Sequence, residues 1–270
     1  MPEGDTVWLS GRRLHAALAG RRLTAAELRV PQHATDDLTG RLVREVVSRG
    51  KHLLTRIEPD LTLHTHLGME GTWQIERAGA RWPGTREPVR VILANQAAVA
   101  IGRRLARVDL LATADEATVV GHLGPDLLGG DWDADEAVRR LLVAPDRPIG
   151  EALLDQGNLA GIGSLYRTEL LFLRGVHPLT PVRDAGDLSR MVRLARQLLW
   201  TNRDHPEQAT TGNLRRGHQH WAYGRAGEPC RRCRTPIRRG EVGPAGKERV
   251  VYWCPSCQPA RSQNSAGPTE

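Results

Sequence analysis

Residues 155–166 read DQGNLAGIGSLY, a glycine-rich stretch that lies between two helical patterns. Its three glycines allow a tight turn and a close approach of the backbone to a ligand. Ser164 is placed to cap the helix that follows, whose first N–H groups would bind an anion. A plain connection between two helices explains the same pattern. The stretch predicts a helix–turn–helix arrangement, with a phosphate site as the functional alternative.

Helical patterns lie on both sides of this turn. Apolar residues recur at helical spacing after the acidic start 133–136, over 149–154, over 165–173 and over 188–198. Gly175 is placed to end the third of these helices. The middle third of the chain is therefore predicted to be helical.

The first part of the chain has a different pattern. Short half-buried segments rich in Val, Ile and Leu are separated by Gly, Pro and Asp, and they cover residues 42–47, 53–57, 61–67, 89–93, 99–101 and 108–111. Strands at this spacing favour a sandwich or a barrel. Asp5 is placed to cap a helix ahead of them, with Gly20 as its stop. Residues 78–88 are predicted to form a long hairpin loop.

Four cysteines near the end of the chain form two Cys-x-x-Cys pairs. Cys230 and Cys233 are separated from Cys254 and Cys257 by twenty residues. This spacing is typical of a structural zinc ion with four thiolate ligands and no open position for catalysis. Four free thiols are the alternative. Residues 235–237 and 249–253 are predicted to be the strands of a hairpin that the metal stiffens.

Charge indicates the partner. The chain has 38 Lys+Arg against 31 Asp+Glu, a net charge of +7, and the whole excess arises from ten cations and three acids between Arg215 and Arg249. Such a cluster is typical of phosphate binding, whereas scattered charge would only aid solubility. No apolar stretch is long enough for a bilayer and no signal peptide is evident, so we expect an intracellular protein without a membrane partner.

The first three residues and Lys51 are the candidate catalytic groups. Removal of Met1 would leave Pro2 as a secondary amine, and an α-amino group has a pKa of about 7.7–8.0. Its neutral form can attack a carbonyl-like carbon and form a Schiff base, and Glu3 can move the protons. The alternative is a frayed chain start. Only Lys51 and Lys247 are lysines among the 38 cations, and lysine transfers a proton more easily than arginine does.

Six short motifs and the cysteine module follow one another as in the formamidopyrimidine-DNA glycosylase/endonuclease VIII family, which the chain resembles over residues 1–258. The motifs are MPEGDT (1–6), GKH (50–52), HLGMEG (66–71), GPD (124–126), LAGIG (159–163) and YGR (223–225). Their compositions are unrelated, so chance does not explain the shared order. The GDT start resembles the endonuclease VIII branch, and its actinobacterial members in particular.

The resemblance implies an α+β multidomain fold. It consists of an N-terminal β-sandwich catalytic domain with flanking helices (1–125), a helix–two-turn–helix DNA-binding domain (126–222) and a zinc-finger β-hairpin (223–260). The polar composition of residues 261–270, with Pro, Ser and Gly, predicts a disordered tail. The resemblance further implies a bifunctional DNA glycosylase/AP lyase of base excision repair. Such an enzyme binds damaged DNA as a monomer, needs one structural zinc ion and no organic cofactor, and is cytoplasmic and nucleoid-associated.

The resemblance also assigns catalytic roles. Pro2 attacks C1′ of the damaged nucleotide and displaces the base, while Glu3 manages protons at the sugar. Lys51 contacts the flanking phosphate and assists β-elimination, and Arg249 grips phosphate and assists the δ-elimination. The residue-based alternative for Arg249 is a solvated surface cation.

Further positions concern DNA contact. Met69 matches the side chain that fills the gap left by an extruded base, with a core methionine as the alternative. Ser164 stands where the family usually has an Asn after Gly-x-Gly, and it keeps a hydroxyl for the phosphate but loses the amide. His122 lies where related enzymes can place a phosphate-binding Arg, and a neutral imidazole makes a weaker contact that depends on pH. The segment 210–223 is short compared with the purine-specific branch of the family, in which a longer loop covers an oxidised guanine. Its length therefore favours oxidised pyrimidines as substrates. Oxidised or ring-opened purines, or a non-catalytic zinc-ribbon DNA-binding protein, are the rival interpretations.

Overall fold

The computed structural model describes residues 2–79 and 88–260. Most of the predicted hairpin loop 78–88 and the predicted disordered tail 261–270 lie outside the described residues. Contacts divide the chain into two compact units. The first contains residues up to 132 together with 159–161 and 199–206, and the second contains the remainder. Within 2–79 and 88–260, no helix combines the length and apolar character needed to cross a membrane.

The first unit contains two antiparallel sheets and two helices. Its elements are α1 Gly4–Leu18, β1 Arg21–Arg22, β2 Ala25–Leu28, β3 Leu42–Arg49, β4 His52–Ile57, β5 Leu61–His66, β6 Thr72–Arg77, β7 Val89–Ala94, β8 Ala98–Arg103, β9 Arg107–Ala112 and the short α2 Ala117–Val120. One sheet has the order β1-β3-β4-β5-β9 and the other the order β2-β7-β8-β6. The predicted β-sandwich is confirmed.

Burial of one face of each sheet explains why the sandwich forms. Residues from both sheets, including Val43, Leu63, Val91 and Ala100, pack into one cluster and are almost completely buried. Burying a side chain of the size of Val or Leu contributes about 1.5–3 kcal/mol relative to leaving it exposed. The strands predicted from short apolar segments therefore all have a place in this core.

Helix α1 covers one end of the same core. Val7, Leu14 and Leu18 recur at helical spacing and are buried in it. The predicted cap was wrong: Glu3 occupies the N-cap position, and Asp5 lies buried in the first turn. The reason is that the helix begins two residues earlier than its apolar pattern indicates.

The second unit contains most of the remaining helices. These are α3 Ala134–Leu142, α4 Ile149–Ala152, α5 Ser164–Arg174 and α6 Leu188–Asn202, whose last residues belong to the first unit. The left-handed Gly175, with φ 67°, ends α5 as predicted. Ser164 is the first helical residue of α5, and Gly163 holds the N-cap position. The prediction that Ser164 caps this helix was therefore wrong, because the turn ends and the helix begins one residue earlier than predicted.

A two-stranded hairpin completes the second unit. It pairs β10 Arg238–Val242 with β11 Arg249–Trp253. The second strand was predicted correctly, but the first begins at Arg238 instead of covering 235–237. The backbone at 235–237 is used elsewhere: Cys230 N–H donates to Thr235 O at 2.9 Å and Ile237 N–H donates to Glu228 O at 3.0 Å. These bonds close the loop around the first cysteine pair.

Candidate active site and metal centre

The start of the chain is fixed against residue 161. Pro2 is half-buried and Glu3 is completely buried. Gly4 N–H donates to Gly161 O at 2.8 Å, and a Cβ added to Gly4 would lie 3.0 Å from Gly161 Cα. Only a residue without a side chain allows this close approach of two backbones. The sequence motifs at 1–6 and 159–163 therefore meet.

The turn that carries Lys51 is held by the Gly-Pro-Asp motif. Gly50 has a left-handed φ of 57° and its N–H donates to Asp126 Oδ2 at 2.8 Å. The other oxygen of the Asp126 carboxylate accepts from Leu128 N–H at 3.0 Å. Burial raises the pKa of Asp126, and these two hydrogen bonds oppose the increase. The motif thus fixes the backbone next to Lys51.

The Lys51 turn and the chain start pack against consecutive residues. A Cβ on Gly50 would lie 3.1 Å from the Cβ of Ala160, the residue before Gly161. Ala160 also joins the motif at 124–126, since its N–H donates to Pro125 O at 2.9 Å. Four motifs that are distant in the sequence therefore converge within the first unit. Through residues 160 and 161 they hold the backbone next to Pro2 and next to Lys51.

A chain of hydrogen-bonded imidazoles follows Lys51. His64 Nδ1 lies 3.0 Å from Asp109 Oδ2, and His64 Nε2 lies 2.8 Å from His52 Nδ1. A carboxylate only accepts, so Nδ1 of a neutral His64 carries the proton and its Nε2 accepts from His52. His52 therefore has its proton on Nδ1. In His66, Nδ1 accepts from Gly68 N–H at 2.9 Å, so a neutral His66 has its proton on Nε2.

These histidines are held in the neutral form. The pKa of His52 is lowered to about 3, mainly by burial and in addition by the neighbouring His66, His64, His122 and Arg107. Burial lowers the pKa of His66 to about 4, with the charge of Lys51 as the second cause. Lys51 and Arg107 therefore lie close to imidazoles that stay uncharged at neutral pH.

Met69 stands on a tight turn at the end of β5. Gly68 in that turn has φ 65°, and Gly71 N–H donates to Leu67 O at 2.9 Å. The Met69 side chain is 69% exposed. This exposure rules out the alternative of a core methionine. His122 is also exposed, and its ring centroid lies 6.3 Å from that of His52.

The metal centre belongs to the second unit. The Sγ atoms of Cys230, Cys233, Cys254 and Cys257 all lie within 4.8 Å of one another. A tetrahedral zinc ion with Zn–S bonds of about 2.3 Å needs sulfurs about 3.8 Å apart. The separations of 3.4 Å, 3.5 Å and 3.9 Å among the hydrogen-bonded sulfur pairs fit that ion and exclude disulfides. The geometry therefore supports the predicted zinc-finger site.

The remaining predicted residues also lie in the second unit. Arg249 is exposed at the start of β11, whereas Ser164 is buried at the start of α5. The roles of these residues on DNA remain predictions.

Sequence reasoning missed several buried polar groups. Glu169 is completely buried, and its carboxylate accepts from the N–H groups of Trp221 at 2.7 Å, Ala222 at 2.9 Å and Tyr223 at 2.8 Å and from the Thr210 hydroxyl. Its position among the apolar residues of a helix gives no hint of such a role. The even spacing of His52, His64 and His66 was a usable signal, because such residues share one face of a hairpin.

Comparison with known proteins identifies the class of protein. The model of the formamidopyrimidine-DNA glycosylase N-terminal domain matches residues 1–110, and that of the formamidopyrimidine-DNA glycosylase H2TH domain matches residues 123–201. The chain belongs to the formamidopyrimidine-DNA glycosylase/endonuclease VIII family.

Its relatives within the family are similar over their whole length. The chain is 52% identical to the probable endonuclease 8 2 of Streptomyces coelicolor, covering 100% of this chain and 98% of that protein. It is 46% identical to the DNA-(apurinic or apyrimidinic site) lyase Nei2 of Mycolicibacterium smegmatis, covering 96% and 100%. A crystal structure of the Lactococcus lactis formamidopyrimidine-DNA glycosylase bound to DNA with an AP site has the same fold. Its TM-score is 0.79 at 23% identity, with 96% and 100% covered.

Proposed function

We propose that this protein is a bifunctional DNA glycosylase/AP lyase that removes oxidised pyrimidines in base excision repair. The observation that carries the proposal is the fixed position of the chain start. Pro2 is followed by the buried Glu3 and by Gly4, whose N–H forms a backbone hydrogen bond with Gly161 O. The names of its relatives, which include an AP-site lyase, support the same activity. The partner is damaged DNA, bound by a monomer that is cytoplasmic and nucleoid-associated.

The chemistry requires no organic cofactor. The neutral amine of Pro2 attacks C1′ of the damaged nucleotide, and the bond from C1′ to the base breaks. The amine loses its proton and the C1′–O4′ bond then opens as O4′ takes up a proton, so that Pro2 and C1′ form an iminium; Glu3 manages these protons at the sugar. The resulting iminium withdraws electrons and acidifies the C2′ proton. Loss of that proton expels the 3′ phosphate in the β-elimination. Lys51 contacts the flanking phosphate and assists this step. A second elimination, assisted by Arg249, expels the 5′ phosphate.

The other predicted residues act on DNA and on structure. The exposed Met69 fills the space of the extruded base, which offsets part of the lost stacking. Ser164 and His122 contact phosphate. One structural zinc ion held by the four cysteines stiffens the hairpin that carries Arg249. Pyrimidine preference rests on the short segment 210–223, and a panel of oxidised pyrimidine and purine lesions tests it.

Borohydride trapping tests the nucleophile. With an abasic oligonucleotide, borohydride should reduce the iminium and leave a covalent complex, and peptide mass analysis should place the adduct on Pro2. Pro2→Gly, or retention of Met1, should reduce trapping sharply. Lys247→Ala is the matched control for Lys51→Ala, because these are the two lysines of the chain. A non-catalytic DNA-binding protein would give no adduct, and an adduct on Lys51 would contradict the assignment to Pro2.

Glu3→Gln separates the two activities. Glutamine keeps the shape of the buried side chain but cannot donate a carboxylic proton, so base excision should be abolished while some cleavage of a preformed abasic site remains. Single-turnover assays on a duplex with an oxidised pyrimidine and on an abasic duplex measure the two rates. Equal loss of both activities would contradict this division of roles.

A further inference from the structure

Arg167 is a buried cation that the chemistry above does not use. It lies on α5, three residues after Ser164, and it is completely buried. A guanidinium is always charged, and removing it from water is costly unless its N–H groups find acceptors. A buried arginine therefore indicates a specific set of contacts.

Two of these contacts join separate elements of the second unit. Arg167 Nη1 donates to Gly150 O of α4 at 3.2 Å, and Nη2 donates to Val250 O of β11 at 2.5 Å. Val250 directly follows Arg249. The planar guanidinium directs its N–H groups in a fixed geometry, so these two carbonyls are held relative to α5.

The strand β11 depends on such a contact for its position. It belongs to a sheet of two strands and pairs only with β10 among the described residues. An isolated hairpin is marginally stable, so contacts outside the sheet set its place. The hydrogen bond from Arg167 to Val250 O is one such contact, and it lies immediately beside Arg249.

We propose that Arg167 is a positioning residue for Arg249: it fixes β11 against α5 and thereby sets the efficiency of the second elimination. The inference rests on the proposed function, in which Arg249 assists the loss of the 5′ phosphate. Arg167 itself is buried and acts through the Val250 carbonyl. It therefore affects the ratio of δ-product to β-product more than it affects attack by Pro2.

Arg232 provides the matched control. It also joins the cysteine module to α5, since its Nη1 donates to Phe172 O at 3.3 Å and its guanidinium lies 4.5 Å from the centroid of the Phe172 ring. Arg232 contacts α5 near the C-terminal end of the helix, at Phe172, and its hydrogen bond does not involve Val250. Arg232→Met therefore removes a link of the same chemical type without removing the bond beside Arg249.

The experiment compares end products on an abasic duplex by gel mobility. In Arg167→Met the ratio of δ-product to β-product should fall by about tenfold, the usual effect of losing one charge-assisted hydrogen bond. Arg167→Lys should recover part of the ratio, because the charge and an ammonium donor remain, although the planar fork that reaches both carbonyls is lost. This variant also tests the proposal if Arg167→Met does not fold. Arg232→Met should keep the wild-type ratio.

Hydrogen exchange separates this inference from the role of Arg249. The amides of β11 should exchange faster in Arg167→Met than in Arg232→Met. If Arg249→Ala leaves the product ratio unchanged, the assigned role of Arg249 is wrong and the positioning role in catalysis fails with it, while faster exchange would still establish the structural link. A wild-type ratio in both Arg167 variants, or an equal fall in Arg232→Met, would overturn the proposal.

Discussion

Glu169 shows how a single buried carboxylate organises a loop. Its two oxygens accept from three consecutive backbone N–H groups at 221–223 and from the Thr210 hydroxyl. The two ends of the segment 210–223 are thereby fastened to α5. The proposed preference for pyrimidines rests on the same segment, so that proposal predicts an effect of this anchor on substrate choice as well as on stability.

Glu169→Ala should destabilise the second unit strongly. The change leaves three N–H groups without their acceptor, and each such group that is buried costs about 1–3 kcal/mol. Thermal and denaturant unfolding measure this cost. Glu228→Ala is the control, since that carboxylate is 56% exposed beside Arg225 and should contribute about 1 kcal/mol or less. Similar effects of the two substitutions would show that the loop is not held by Glu169.

At the scale of elements, the register of β4, β5 and β9 creates the histidine chain. His52 pairs with His66 across β4 and β5, and His64 pairs with Asp109 across β5 and β9. Three strands are needed to bring the four side chains together. Each strand also buries apolar residues on its core side, so the register that fills the core fixes the polar contacts as well.

This arrangement makes the first unit sensitive to acid. The pKa of His52 is lowered to about 3 and that of His66 to about 4, while an unfolded histidine titrates near 6.5. Above about pH 6.5 both states are neutral, and these groups add no pH dependence. Below it the unfolded chain binds protons that the folded chain does not, so the free energy of unfolding falls towards pH 4. At pH 5 the loss is about 2 kcal/mol for each histidine.

His52→Phe should flatten this dependence. Phenylalanine keeps a ring in place of the imidazole but binds no proton, so stability should change less between pH 7.5 and pH 5 than in the wild type. The measurement is thermal unfolding at several pH values. His205→Phe is the control, because His205 is exposed in the same unit. An unchanged slope in His52→Phe would mean that other groups cause the acid sensitivity.

The sequence predicts elements better than it predicts their buried polar contacts. The strands, the helix end at Gly175 and the metal-type cysteine spacing follow from local patterns. The His64–Asp109 pair and the bond from Arg167 to Val250 join residues 45 and 83 positions apart. They depend on register and packing, which local patterns do not contain. The N-cap residues of α1 and α5 were predicted too late in the sequence for a related reason. Both helices begin where backbone contacts allow it, before their apolar patterns start.

At the scale of the whole molecule, the cysteine module shares its core with α5. Phe172 packs with Ala222, Cys230, Ile237 and Cys254 in one buried cluster. The cluster is small, and a structural metal contributes directly to the folding of such modules. The second unit should therefore depend on zinc, whereas the sandwich of the first unit has its own larger core.

Removal of zinc should unfold the module selectively. After chelation, amides of β10 and β11 should exchange rapidly with solvent, and those of β4 and β5 should keep their protection. Hydrogen exchange followed by mass spectrometry measures both, and re-addition of zinc is the control for reversibility. Retained protection of β11 after complete metal loss would show that the hydrophobic cluster alone maintains the hairpin.

The contact of Gly4 with Gly161 has a practical consequence for handling this protein. Helix α1 begins at Gly4, whose N–H is bound to Gly161 O, so only two residues separate the amine of Pro2 from a fixed position in the backbone. The proposed mechanism requires a free amine on Pro2, so an affinity handle in front of Pro2 would block it, and even one residue left after proteolytic removal of the handle would do so. Recombinant preparations should therefore carry their handle after residue 260.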